Sequence, residues 1–402
     1  MAIQKPQTAA PQYDERQLEA AFISQDVQTA FIGSKTLTEN NTDEISIPSV
    51  GALEGIILEY DMTVTAGDAT SLKNVNYYTD SSNVCSKFPH DVTPAAIFRE
   101  IRVECPDGSI RHQGIAGEDF DMMNSLAMST HARRPDSIPA NMLPAGLNTQ
   151  IDFNNMFNVV NANTIKVYGT VYIPFTNPNP LSALGTLVMQ GSTSEARLVI
   201  STRAITDLIA LDTATPAQML TTTLNATLGS LTAAAVPNTF SLQSLTVSAY
   251  ARRRPVLNVM PASTRFIYEY AKKSQTIQNG DAGAVIELPT GYTYQSMLMT
   301  FKDNHSYIDC TTDNALNIAK RVTVYSGHNK PTFETSGKRT RLTALKRGVR
   351  IPAAAVYLPF YDSPRVSVEA GAQRVLTNVD FGTATVATPT VECLYERYRI
   401  TG

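Results

Sequence analysis

Apolar and polar positions along this chain follow two rhythms. Near the start, Leu18, Phe22, Val27 and Phe31 recur at spacings of four, five and four, a helical stripe. Asp14 stands where it can cap the first turn, and Glu15 suits the positive end of the helix dipole. The pattern predicts an amphipathic helix behind a flexible arm, residues 1–13, rich in Gln, Pro and Ala. From Lys35 onward the rhythm becomes alternation: "EISIPSV", "GIILEYDMTVTA", "AAIFREIRVEC", "NTIKVYGTVYIPF", "ARLVISTR" and "LQSLTVSAYARR" set β-branched and aromatic residues between Pro, Gly, Asn and Asp clusters. Many short strands without regularly interleaved long helices predict an all-β sandwich or barrel.

One phrase occurs twice, as "VYIPF" at 171–175 and "VYLPF" at 356–360. Four identities in five mean little alone, but the flanks repeat as well. Ahead of the first copy, "IFREIRVECPDGSIRHQ" alternates Ile101 and Val103 before a Pro106-Asp107-Gly108 turn; ahead of the second, "IAKRVTVYSGHNKPTFE" places Val322 and Val324 before Ser326-Gly327. A short helix is expected after each hairpin, in "GEDFDMMNSLAMS" and in "SGKRTRLTALKRG", where Leu342, Leu345 and Val349 keep helical spacing. Proline-bearing turns, "TNPNP" and "YDSPR", follow the two pentapeptides. Each half then closes on a similar strand, Thr246-Val247 answering Thr390-Val391 and Tyr250 approximately answering Tyr395. Five features in one order, twice, indicate a tandem duplication. The first half is lengthened by two loops, the later one within "AITDLIALDTATPAQMLTTTLNATLGSLTAAAVPN".

At 402 residues the chain exceeds what one core usually supports, so a two-domain reading also suits its length. Charged residues make up 17%, below the ~25% typical of globular proteins, and Thr, Ser, Asn and small apolar residues fill the difference. No stretch approaches the roughly 20 apolar residues of a bilayer-spanning helix, and the opening "MAIQKPQTAA" lacks the apolar core of a secretion signal. A net charge of −3 argues against wholesale nucleic-acid binding.

Chemistry is sparse. Cys85, Cys105, Cys310 and Cys393 form no CxxC pair, so free, mostly buried thiols are expected rather than a zinc site or disulfide framework. His90, His112, His131, His305 and His328 include no i, i+4 pair and no HExxH. His112 stands seven residues before Asp119; a catalytic pair is one reading, and acids favouring a helix start is the preferred one. "GSTS" at 191–194 lacks the nucleophile elbow, and no Gly-rich phosphate loop with Lys and Ser/Thr occurs. We expect no enzyme activity, no catalytic residue, no metal and no cofactor.

A unit of short antiparallel strands with one helix between hairpin and closing strands, present twice behind an N-terminal helix, resembles the double jelly-roll major capsid proteins of tailless, internal-membrane bacteriophages (the tectivirus type) and, more remotely, adenovirus hexon. The resemblance is architectural and covers the chain from about Asp14 to Gly402. It implies an all-β fold of two tandem jelly-roll β-sandwiches with short flanking helices. The divisions expected are an arm and helix at 1–34, a first jelly roll with two long insertions at 35–258, and a second at 259–402. It further implies a homotrimer with a pseudo-hexagonal outline, tiled into an icosahedral virion shell over an internal membrane. Minor capsid or vertex proteins and membrane lipid would be its other partners, with no sequence-specific nucleic acid. Synthesis would be in the host cytoplasm.

Two features invite partner assignments within that frame. The stripe Leu18, Phe22, Val27 and Phe31 would meet a neighbouring subunit or membrane, or else pack on its own domain. Arg252, Arg253 and Arg254, with Lys338, Arg339 and Arg341, would form an inner-face basic patch toward lipid head groups or genome, or else a solvated face with inter-subunit ion pairs. The competing functional reading is a carbohydrate-binding or carbohydrate-cleaving β-sandwich, or a phage spike or adhesin. The absence of Trp and of a persuasive acid pair weighs against the sugar-directed version.

Overall fold

The computed structural model describes residues 14–66, 94–130, 155–161, 164–177, 183–192, 194–205, 240–276, 283–289, 291–303, 306–307, 321–326, 331–337, 339–340, 342, 355–360, 375–380 and 389–400. Its strands form four antiparallel sheets. The first runs β1 (Gln28–Leu37), β10 (Phe240–Arg254), β3 (Ala52–Ala66), β7 (Thr164–Pro174), β6 (Asn155–Asn161), with β8 (Leu187–Val188) also on β3. The second runs β2 (Thr42–Ile47), β9 (Ala196–Thr202), β4 (Phe98–Glu104), β5 (Ile110–Arg111). These two share one core: Ile45, Ile101 and Leu198 pack in the same cluster as Leu58, Val171 and Val247.

The third sheet runs β11 (Phe266–Thr276), β19 (Pro389–Ile400), β13 (Thr293–Asp303), β14 (Ser306–Tyr307), with β17 (Ala355–Pro359) also on β13. The fourth runs β12 (Gly283–Leu288), β18 (Val375–Asp380), β15 (Arg321–Ser326), β16 (Pro331–Thr335). Ile286, Val322 and Val324 close with Met297, Met299 and Cys393 into a second core. Counting the eight principal strands of each pair in chain order, both read 1-8-3-6 on one sheet and 2-7-4-5 on the other. That order is a jelly roll, twice.

Residue-level register makes the two units equivalent. Tyr172 of β7 lies opposite Ile57, as Tyr357 of β17 lies opposite Leu298. Both partner strands skip one residue at the same step. Glu54 is passed over between Leu53 and Gly55 against β10, and Gln295 between Tyr294 and Ser296 against β19. At each bulge the freed carbonyl accepts the N–H of the Phe ending the pentapeptide, Phe175 to Glu54 at 2.7 Å and Phe360 to Gln295 at 2.9 Å. Thr246 and Val247 stand opposite Asp61 and Tyr60, as Thr390 and Val391 stand opposite Lys302 and Phe301. Tyr250, opposite Ile57, matches Leu394 rather than Tyr395. Ile101, Val103, Val322 and Val324 are all fully buried, in equivalent strands.

The N-terminal stripe divides differently. α1 spans only Glu15–Ile23, with the Asp14 side chain accepting the Arg16 N–H at 3.0 Å. The step of five between Phe22 and Val27 is where the helical spacing fails. The chain then extends, and backbone pairing of β1 with β10 outweighs the local periodicity. Val27 and Phe31 are therefore not helical, and the first sandwich begins at Gln28, inside the stretch expected to be arm and helix. A longer helix, α2 (Gly117–Thr130), follows β5, and a helical turn follows β16, with the Thr340 N–H bonded to the Ser336 carbonyl at 2.9 Å. Leu345, Val349, the "YDSPR" turn and most of the two long insertions lie outside the described residues, as do Cys85 and Cys310. Cys105 and Cys393 are free and buried.

Candidate functional site

Among the described residues, a set of buried polar groups gathers at the seam where the two sandwiches meet. It begins with His112, just beyond β5, held at φ 59° and fully buried. Its Nδ1 accepts the Tyr270 N–H at 3.1 Å, so the ring proton sits on Nε2, which donates to the Pro174 carbonyl at 2.8 Å. One imidazole thus joins β7 of the first unit to β11 of the second. Phe120, Phe175 and Tyr270 surround it edge-on at 5.2 to 6.0 Å. Burial, reinforced by the Arg111 charge, pushes its pKa down to about 3, although the Pro174 hydrogen bond opposes this. Both nitrogens are committed and the ring stays neutral, so His112 is a strut rather than a base.

Beside it, the buried Arg111 donates through Nη1 to the Gly185 carbonyl at 2.8 Å and lies over the Phe175 ring. Gly185 has φ 88°, and a Cβ there would overlap that of Tyr268. Asp119, in the first turn of α2, accepts the Ala116 N–H at 2.9 Å, closing the helix start. The same carboxylate receives Lys272 Nζ from β11 at 3.0 and 3.1 Å, and Glu392 of β19 lies 3.3 Å from that ammonium. Burial alone would lower the Lys272 pKa, but the carboxylates of Asp119 and Glu392 outweigh it and keep the ammonium charged. The histidine and the acid of "HQGIAGEDFD" therefore do not pair with each other. Each engages the second sandwich.

Asn124 completes the polar seam, donating to the Tyr172 carbonyl at 2.7 Å and accepting from Tyr270 Oη at 3.3 Å. Around these bonds the contact is apolar. Tyr268, Tyr270, Leu298, Ala355, Tyr357 and Leu394 point away from their own core and join that of the first sandwich. Tyr268 Oη donates to Glu396 Oε1 at 2.6 Å and Ser296 Oγ to Glu396 Oε2 at 2.8 Å, so the polar tips of this face are satisfied.

The residues singled out from sequence scatter. Phe22 is fully buried against Ala52 and Ala183 of its own chain, and Leu18 is half-buried. Phe31 is 59% exposed and packs edge-on against Tyr250 at 5.5 Å. Arg252 and Arg254 are not a free basic patch: both face Glu54, and Arg254 also donates to the Ile23 and Gln25 carbonyls at the end of α1. Burial lowers the pKa of Arg253. Arg339 is exposed, whereas Lys338 and Arg341 lie outside the described residues. Among the described residues, no group of three His, Cys, Asp or Glu is poised to hold a metal ion, and no helix is long and apolar enough to cross a membrane.

Sequence reasoning missed Arg111, Asn124, Tyr268, Tyr270 and Lys272 as seam residues. The only signal available was the acid-rich start of α2 facing a strand that carries "YAKK".

No family model and no curated protein sequence matches the chain. Solved structures do match. The STIV MCP aligns with TM-score 0.60 over 93% of this chain and 97% of its own, at 10% identity. The PBCV-1 virus capsid gives 0.51 over 94% and 95%, and the Faustovirus major capsid protein 0.51 over 93% and 89%, each at 10% identity. With the strand order found twice, these likenesses establish that the chain has the double jelly-roll fold of viral major capsid proteins.

Proposed function

We propose that this chain is a structural subunit of a virion shell, assembling as pseudo-hexagonal homotrimers that tile an icosahedral capsid, with an internal membrane beneath. The observation carrying the proposal is the seam. The outer sheet face of the second sandwich is sealed into the core of the first, so the chain forms one block built around its walls. A wall-forming role needs two sandwiches locked at a fixed angle, and hydrogen bonds through His112 and Asn124 with the Asp119–Lys272 pair do that. In this reading the role is architectural and not catalytic, and minor capsid proteins and lipid are the further partners. Electron microscopy and native mass spectrometry of the purified protein test it. Three-copy particles with a six-sided outline are expected. A monomer that binds or cleaves oligosaccharides would overturn the proposal in favour of a sugar-directed sandwich.

A further inference from the structure

The Asp119–Lys272 contact holds more than an ion pair needs. Lys272 Nζ is nearly equidistant from the two Asp119 oxygens, at 3.0 and 3.1 Å, within the range from which positioned groups react. A second carboxylate, that of Glu392, lies 3.3 Å from the same nitrogen. Asp119 is 1% exposed, and the rings of Phe120 and Tyr270, at neighbouring positions on α2 and β11, pack 5.8 Å apart. Lys35 and Asp43 show the ordinary alternative, 3.5 Å apart with the lysine 42% exposed. The first sandwich differs at this place. The position of Lys272 is taken there by Phe31, opposite Tyr250 as Lys272 is opposite Leu394, and 59% exposed.

We infer that Asp119 and Lys272 condense into an amide, an isopeptide bond that welds α2 of the first sandwich to β11 of the second. In the resting pair the proton sits on Nζ. Burial raises the Asp119 pKa, with Lys272 opposing and Glu118 and Glu392 reinforcing, so the proton can pass within the pair and leave an amine and an acid. Total charge is unchanged. Nζ then attacks Cγ, and the Ala116 N–H, 2.9 Å from Oδ2, steadies the charge that gathers on that oxygen. Glu392 takes the surplus proton from the nitrogen and returns it to the departing Oδ1 hydroxyl. The Cγ–Oδ1 bond breaks, Oδ2 becomes the amide carbonyl, and one water leaves. No oxidant or co-reactant is needed. Groups held in place in this way meet at an effective concentration of about 10⁵ M or more, which favours the amide over hydrolysis in a buried seam.

Intact-mass spectrometry of the full chain in denaturant reads the bond directly. The unaltered chain should weigh one water less than its sequence. A tryptic digest should contain one branched peptide carrying both Asp119 and Lys272, uncut after Lys272. Lys272→Arg keeps the charge but offers no amine, and should have the full mass. Glu392→Gln leaves the pair but removes the relay, and should form the bond about 100-fold more slowly. Far-UV circular dichroism checks that both variants fold, and the branched peptide decides even where one does not. An unaltered chain that keeps its full mass after prolonged incubation in the folded state overturns the inference and leaves an ion pair only. A missing water that persists in Lys272→Arg overturns it as well. Bond formation at the unaltered rate in Glu392→Gln overturns the relay assigned to Glu392. None of these readings depends on how many copies assemble, so the shell proposal stands or falls separately.

Discussion

The outer faces of the two jelly rolls have the same strand order and register but opposite fates. On the second sandwich the face bears Tyr268, Tyr270, Leu298 and Leu394 and is fully covered; on the first it bears Val27, Thr29, Ile57 and Tyr250 and is partly open. A duplicated fold keeps its cores because packing punishes change there, whereas its outer surfaces are free to diverge toward whatever meets them. The inward positions agree accordingly: Val103 with Val324, Val247 with Val391 and Val171 with Val356 are identical and buried.

Single substitutions can break that contrast. The largest effect is expected for Phe175→Ala, about 3–5 kcal/mol by denaturant unfolding, because Phe175 supports both its core and the His112 strut. Phe360→Ala should lie lower in the same range, since its ring belongs only to the second core. Acidification tests the strut itself. The folded-state pKa of His112 is about 3, below the ordinary 6.5. Its contribution is whole above pH 6.5 and is lost as the pH falls toward 3, the unfolded chain taking up the proton first. By pH 4 that amounts to about 3 kcal/mol of stability, and a His112→Gln variant should show a correspondingly flatter profile.

At the matched positions 272 and 31 the contrast is sharpest. Lys272→Met strands two carboxylates in the seam and should cost about 3 kcal/mol, whereas Phe31→Ser should change the stability of the isolated subunit by less than about 0.5 kcal/mol. Thermal melts of the two variants side by side decide it. A loss of about 1 kcal/mol is expected for Glu54→Gln, which keeps an acceptor for Arg254 but removes the charge. Comparable effects at positions 272 and 31 would mean that the first sandwich's outer face is covered within the subunit after all.

Much of the fold was legible because duplication leaves order as well as composition. "VYIPF" and "VYLPF" lie on equivalent strands, and the paired valines that flank them proved to be the matching inward positions. The closing strands were aligned one residue out at Tyr250, since two tyrosines look alike in sequence while only the ladder counts residues. The N-terminal helix was overextended because periodicity is local and β1 forms by pairing with residues more than 200 positions away. For the same reason the arginine run suggested an outward basic patch or a pair with another subunit, whereas Glu54, the partner of Arg254, lies in the same chain 200 residues away. The seam was illegible almost entirely. His112 reaches Tyr270 across 158 residues, and no spacing rule announces such a contact.

The extra residue carried by β3 and β13 at the same rung, Glu54 in one and Gln295 in the other, absorbs a break in alternation. Leu53 and Ile56, three positions apart, both point into the first core because the bulge takes up the odd residue. Deleting Glu54 would therefore straighten the strand without turning its far end over, whereas an added residue with no bulge to house it would turn every later side chain to the wrong side.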